Sequence, residues 1–160
     1  MLNNNISRLN SFHFNGLYQL SITEIWIASC SASSQQYEYR SCEQAYDGND
    51  DTPWMTAANA QIGAWIRLNF SGAYRLTKVM VKNWTCGADE HNAFKDISFQ
   101  SSYGEPVGFT LNKTTEWQTI QLEGMREFEG TTYVKISGIS IFENTADHSG
   151  FGELKVFGWL

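Results

Sequence analysis

The sequence predicts an all-β fold, an antiparallel β-sandwich or jelly roll of about eight main strands. Three observations carry that expectation: apolar residues alternate with period two, turn residues separate the alternating segments, and no stretch keeps a 3.6-residue apolar stripe. Alternation with one polar face requires two sheets packed by their apolar sides.

The elements follow in chain order. Residues 1–21 are polar and rich in Asn and Ser, with Phe12, Phe14, Leu17, Tyr18 and Leu20 among them. They read as an arm that packs onto one domain spanning residues 22–160. Strands are expected around Ile25 and Ile27, Ile66 to Phe70, Val79 and Val81, Ile97 and Phe99, Ile120 and Leu122, Tyr133 to Ile136, and Leu154 to Gly158. Turns are expected at Asp47-Gly48, Ser71-Gly72, Tyr103-Gly104, Glu129-Gly130 and Ser149-Gly150. Longer connections fall at 31–40, 55–63, 85–94 and 142–150, and the end loops of a sandwich commonly carry its binding surface.

Composition narrows the function. A chain of 160 residues with 42% hydrophobic content holds one proper core. A formal charge of −6, with no cluster of Lys or Arg, opposes a nucleic-acid backbone or an anionic membrane as main partner. Membrane docking through loop tips would have Met55 and Ile62 as its apolar residues. No signal peptide or membrane-length apolar run is visible. Cys30, Cys42 and Cys86 match no zinc-ligand spacing; Cys30 and Cys42 either close a short loop or remain buried thiols. Sequons at Asn5, Asn69, Asn83 and Asn112 point toward an extracellular setting.

Asp47-Gly48-Asn49-Asp50-Asp51-Thr52-Pro53-Trp54 joins a tight turn, hard oxygen donors and an aromatic anchor. Asp47, the carbonyls around Gly48 and the Thr52 hydroxyl suit calcium better than zinc or copper, and Trp54 can fasten the loop to the core. Enzyme chemistry finds no support: there is no Gly-x-Ser-x-Gly elbow, no His-Glu-x-x-His helix and no phosphate loop. Glu90 beside His91 and Asp147 beside His148 are sequence neighbours, which on a strand face opposite ways.

An ordered series of motifs resembles the discoidin domain, or coagulation-factor type C domain, of the galactose-binding-like jelly rolls that include many bacterial carbohydrate-binding modules. The series runs through Ser29 to Ser34, Ala45-Tyr46-Asp47-Gly48-Asn49 with Thr52 and Trp54, Trp65-Ile66-Arg67-Leu68-Asn69-Phe70 and Leu76-Thr77-Lys78-Val79. It continues with Phe99 to Gly104, Trp117 and Tyr133-Val134-Lys135-Ile136, and closes on Gly152-Glu153-Leu154-Lys155-Val156-Phe157-Gly158. The resemblance covers about residues 22–159. It departs from the family in lacking the cysteine pair that often ties the ends of secreted members, which weighs against extracellular placement.

The resemblance implies a structural calcium held by Asp47 and Glu153, with oxygens from Gln44, Asn49, Thr52 and Gly152. The alternative is that Asp47 caps the turn while Glu153 accepts backbone hydrogen bonds. It also implies a glycan, of galactose type, or a glycoprotein as ligand. Trp84, Glu90, His91 and Asn92 follow the Val79–Lys82 strand where sugar-binding relatives place an arginine and an asparagine; Asn92 fits and Trp84 replaces the arginine. Gln61 and His148 complete this expected pocket. Trp84 reads equally as a strand-end core residue and as a stacking platform. The other class of function open to this chain is a protein-interaction domain of a larger assembly that uses the same end loops.

Overall fold

A computed structural model of the chain describes residues 21–84, 93–142 and 147–160. The arm expected over residues 1–21 lies, apart from Ser21, outside the described residues. Among the described residues nine strands form, all paired antiparallel: β1 (Thr23–Glu24), β2 (Ile27–Ala32), β3 (Trp54–Met55), β4 (Trp65–Asn83), β5 (Asp96–Ser101), β6 (Val107–Thr110), β7 (Gln118–Gln121), β8 (Thr131–Gly138) and β9 (Gly150–Trp159). Short 3-10 helices accompany them among the described residues, at Glu38–Arg40, Cys42–Tyr46 and Arg126–Phe128.

Period-two alternation becomes the two sheets directly. β5 alternates half-buried and buried along its whole length, placing Ile97 and Phe99 inward and Asp96, Ser98 and Gln100 outward. One sheet orders β2, the first part of β4, β8, β5 and β6. The other sets β9 beside the last part of β4, with β7 on the far side of β4 and β1 and β3 also paired to β9.

The Ser71-Gly72 turn expected from the sequence does not form. β4 runs 19 residues through that position and belongs to both sheets. Gly72 is not in the left-handed region, and the ladder to β8 shifts register between Asn69 and Tyr74, so the chain bends from one sheet to the other while staying extended. Ser149-Gly150 is corrected likewise, since Gly150 opens β9. A Cβ there would stand 1.9 Å from the Trp54 carbonyl oxygen, so glycine answers to close backbone packing and not to a turn. The turns at Gly48, Gly104 and Gly130 form as expected, with φ of +80°, +132° and +66°. The two-residue β3 and the short β6 carry too little alternation to be read from sequence.

The core fills the space between the sheets with Ile66, Leu68, Val79, Val81, Ile97, Phe99, Val134, Ile136, Leu154 and Val156. Trp54 is fully buried and stacks on Phe151 at 5.8 Å and Phe94 at 6.5 Å. Its indole N–H donates to the Ser34 carbonyl at 3.0 Å, which satisfies the one polar atom it buries. Met55, expected at a loop tip, is instead buried in β3, whereas Ile62 is exposed.

Cys30 of β2 and Cys42 of the Cys42–Tyr46 turn form a disulfide with Cα atoms 6.0 Å apart. Of the two readings open at the sequence level, loop closure is the one realised. Closing a loop of that length stabilises a fold by about 3 kcal/mol through the unfolded state. Replacing both cysteines by serine is expected to lower the free energy of unfolding by about that amount, read from urea unfolding extrapolated to water with each protein's own m-value, which rises in the variant as its unfolded chain loses the cross-link.

Candidate functional site

Two parts of the structure hold the described residues that the sequence singled out. The first is the Asp47 loop. Glu153, in β9, is only 3% exposed, and its Oε1 accepts the backbone N–H of Gly48 at 2.8 Å and of Asn49 at 3.0 Å. The turn can present both amides because Gly48 takes a positive φ, which a side chain would strain. Asp47 Oδ1 accepts the Asn49 N–H at 2.8 Å, and its Oδ2 lies 2.7 Å from the Thr52 hydroxyl, which can donate to it or to the Asn49 carbonyl at 2.9 Å. Lys82 pairs with Asp50 and fastens the loop's outer side to β4. Asp47, Asn49, Thr52 and Glu153 are thus brought together. Gln44 is half-buried on the 3-10 turn that leads into the loop, and Gly152 is buried beside Glu153.

Burial pushes the Glu153 carboxyl up to about 7, and the neighbouring Asp47 carboxylate pushes the same way, against the two amide hydrogen bonds. No Lys or Arg among the described residues forms an ion pair with either acid. Asp47 therefore caps its own turn while Glu153 accepts backbone hydrogen bonds, which is the second of the two arrangements open at the sequence level.

The second structure is the rim where the long connections meet. Gln36 Nε2 lies 2.9 Å from His148 Nε2, and His148 Nδ1 lies 3.1 Å from the Thr56 carbonyl oxygen. That carbonyl can only accept, which fits a ring protonated on Nδ1 with Nε2 receiving the Gln36 amide. The Asn59 N–H donates to the Asp147 carbonyl at 2.8 Å and the Thr56 N–H to the Ser149 carbonyl at 2.9 Å. Three connections are therefore laced together.

Trp84 is half-buried, and its N–H donates to the Gly150 carbonyl at 3.2 Å. The Arg40 guanidinium lies 5.9 Å from its ring centroid and 5.4 Å from that of Tyr39. Tyr39 stacks on Tyr37 at 5.1 Å, and both rings are exposed, at 63% and 53%. The rim therefore presents an aromatic platform with a cation at its edge. Gln61, by contrast, is buried at 9% exposure. Glu90, His91 and Asn92 lie outside the described residues, as does Cys86.

A family model for the F5/8 type C domain matches residues 29–144. The chain belongs to the F5/8 type C family. Solved structures share the fold. The family 32 carbohydrate-binding module of NanJ from C. perfringens, in complex with galactose, aligns at TM-score 0.68 and 18% identity, over 86% of this chain and 99% of that one. Another family 32 module from Clostridium perfringens, in complex with GalNAc-β-1,3-galactose, aligns at 0.64 and 16% identity over 81% and 94%. Chitosan-binding module 1 from a chitosanase/glucanase of Paenibacillus sp. IK-5 aligns at 0.59 and 21% identity over 81% and 94%. No curated protein sequence matches the chain.

Within this F5/8 type C domain, sequence reasoning missed Tyr37, Tyr39 and Arg40. The available signal was aromatic alternation in Gln36-Tyr37-Glu38-Tyr39-Arg40, inside a long connection bracketed by two cysteines. The sequons also weigh less than their number suggests. Asn83 is 2% exposed and donates to the Phe94 carbonyl, while Asn69 is tied to Arg67 and Ser29; Asn112 alone of the three described is exposed.

Glu153 gives the metal-free domain a pH-dependent stability. Its folded value of about 7 stands above the ordinary 4.5, so the folded state keeps a proton that the unfolded chain releases. Its contribution is full below about pH 4.5 and is lost as pH rises to 7, a change on the order of 3 kcal/mol. In chelator-treated protein, Tm of the wild type should fall relative to that of Glu153→Gln across this window; parallel profiles would show that the carboxyl is not so perturbed.

Proposed function

We propose that this F5/8 type C domain is a non-catalytic module that binds galactose-type glycans on its loop rim. The carrying observation is the exposed Tyr37–Tyr39 stack with Arg40 between Tyr39 and Trp84. Such rings offer the apolar face that a sugar's C–H surface needs, and Arg40 offers donors to its hydroxyls. Gln36, whose amide is engaged by His148, sits beside Tyr37 on a loop held in place by the disulfide. The galactose, GalNAc-β-1,3-galactose and chitosan named for the three similar modules support a carbohydrate ligand. Glu90, His91 and Asn92 belong to the same proposed site by sequence position alone.

The Asp47 loop is the support of that rim in this reading, and calcium is its ion. Asp47 and Glu153 would hold it, with oxygens of Gln44, Asn49, Thr52 and Gly152; bound calcium would neutralise the acid pair and would not touch sugar. Because the ion needs both carboxylates deprotonated, its affinity should rise with pH up to about 7. The Cys30–Cys42 disulfide supports an extracellular or otherwise oxidising setting.

Titration with galactose should show saturable binding that weakens about tenfold, or about 1.4 kcal/mol, in Tyr39→Ala and in Trp84→Ala. Equal affinity in both variants would remove the platform from the site. Calcium at millimolar concentration should raise Tm at pH 7.5 in the wild type and leave Glu153→Gln unmoved; no shift in the wild type would exclude a calcium site there.

A further inference from the structure

The outward face of the sheet made by β2, β4, β8, β5 and β6 carries an arrangement that neither the rim nor the Asp47 loop explains. Arg67 of β4 and Lys135 of β8 are directly opposed partners in the ladder. Like charges placed so repel each other and destabilise the pair. No carboxylate among the described residues pairs with either one. Each cation instead lies over an aromatic ring of the other strand: Arg67 is 3.7 Å from the Tyr133 centroid, and Lys135 Nζ is 5.2 Å from that of Trp65. Those contacts hold both side chains along the sheet. Of the five N–H donors of a guanidinium, Arg67 gives Nε–H to Asn69 Oδ1 at 2.8 Å, and its Nη groups meet no acceptor among the described residues.

The surroundings narrow the ligand. Ser31 and Gln100 extend the cation row on either side, since Ser31 pairs with Arg67 and Gln100 with Lys135. The next row places Ser137 opposite Trp65 and Ser98 opposite Ser137. Asp96, the outward acid of β5, is already engaged by the Ser140 and Thr110 hydroxyls at 2.5 and 2.7 Å. The face thus sets hydroxyl and amide groups around two cations that lie over Tyr133 and Trp65 and have no acid paired to them among the described residues, in a chain whose net charge is −6. With those two rings under the cations, the face presents charge in place of the open apolar centre of a protein interface. A nucleic-acid strand, with one phosphate every 3.4 Å or so, would meet the acidic field of the whole molecule for only two cations.

We propose that this face binds a carboxylated glycan, an oligosaccharide bearing uronic acids. A carboxylate docks on the free Arg67 edge and Lys135, and sugar hydroxyls meet the flanking serines and Gln100. The site is separate from the galactose-type site on the rim and does not depend on it.

The test is titration of the full chain with oligogalacturonate in low salt, followed by heteronuclear NMR and calorimetry. Binding should move the amides of Arg67, Asn69, Tyr133 and Lys135, weaken about tenfold or more in the Arg67→Gln/Lys135→Gln variant, fall steeply in 0.5 M salt, and survive excess galactose. The proposal is overturned if the wild type does not bind, if the double variant binds equally well, if galactose displaces the ligand, or if a single-stranded oligonucleotide binds as tightly. Should the double variant fail to fold, the wild-type shifts decide alone: changes confined to the rim loops overturn the assignment.

Discussion

The membership of β4 in both sheets is the constraint on which the other features rest. Its first residues pair with β2 and β8 and its last with β9 and β7, so one extended segment sets the register of both faces of the core. That register places Lys82 opposite Glu153. Lys82 then holds Asp50 while Glu153 holds the amides of Gly48 and Asn49, and the Asp47 loop is gripped from two adjacent strands. Trp84, just beyond the end of β4, is delivered to the rim by the same geometry.

The disulfide, the tyrosine stack and the entry to the Asp47 loop share a short stretch of chain. Residues 31–41 leave β2, form the tyrosine stack and return through the disulfide to the turn that begins the Asp47 loop. Closing that loop covalently reduces the entropy lost when a ligand orders it. The buried Glu153 carboxyl acts in the opposite sense when no cation is present, because burial and Asp47 both disfavour its charge. An ion there would convert an electrostatic liability into a brace for the rim.

The outward faces of the two sheets differ although both bear cations over aromatic rings. On the β9 side, Lys78 lies over Phe157 and Lys155 over Trp117, while Arg75, near Trp159, also pairs with Glu129. On the β8 side Arg67 and Lys135 oppose each other, and no acid among the described residues pairs with either. Cation–π contact explains the posture of these side chains but not the choice of two like charges in one ladder pair, which is why the second face reads as a place for an anion.

Most of the strand content was legible in the sequence because period-two alternation is imposed locally by the pleat: Ile66 and Leu68, Ile97 and Phe99, and Leu154 and Val156 could face one way only if their neighbours faced the other. Trp54 as a buried anchor and Asp47-Gly48 as a turn followed from residue chemistry for the same reason. What needed tertiary structure was every property set by partners distant along the chain. Ser71-Gly72 has the letters of a turn, yet both flanking segments find ladders in different sheets, and hydrogen bonding to them keeps the backbone extended. Cys30 and Cys42 were compatible with pairing, but only the adjacency of β2 to the Cys42–Tyr46 turn made the bond. The rim platform was least legible, since an exposed tyrosine carries no periodic signal, and whether Arg40 meets Tyr39 and Trp84 depends on how loops from separate strands fold against one another.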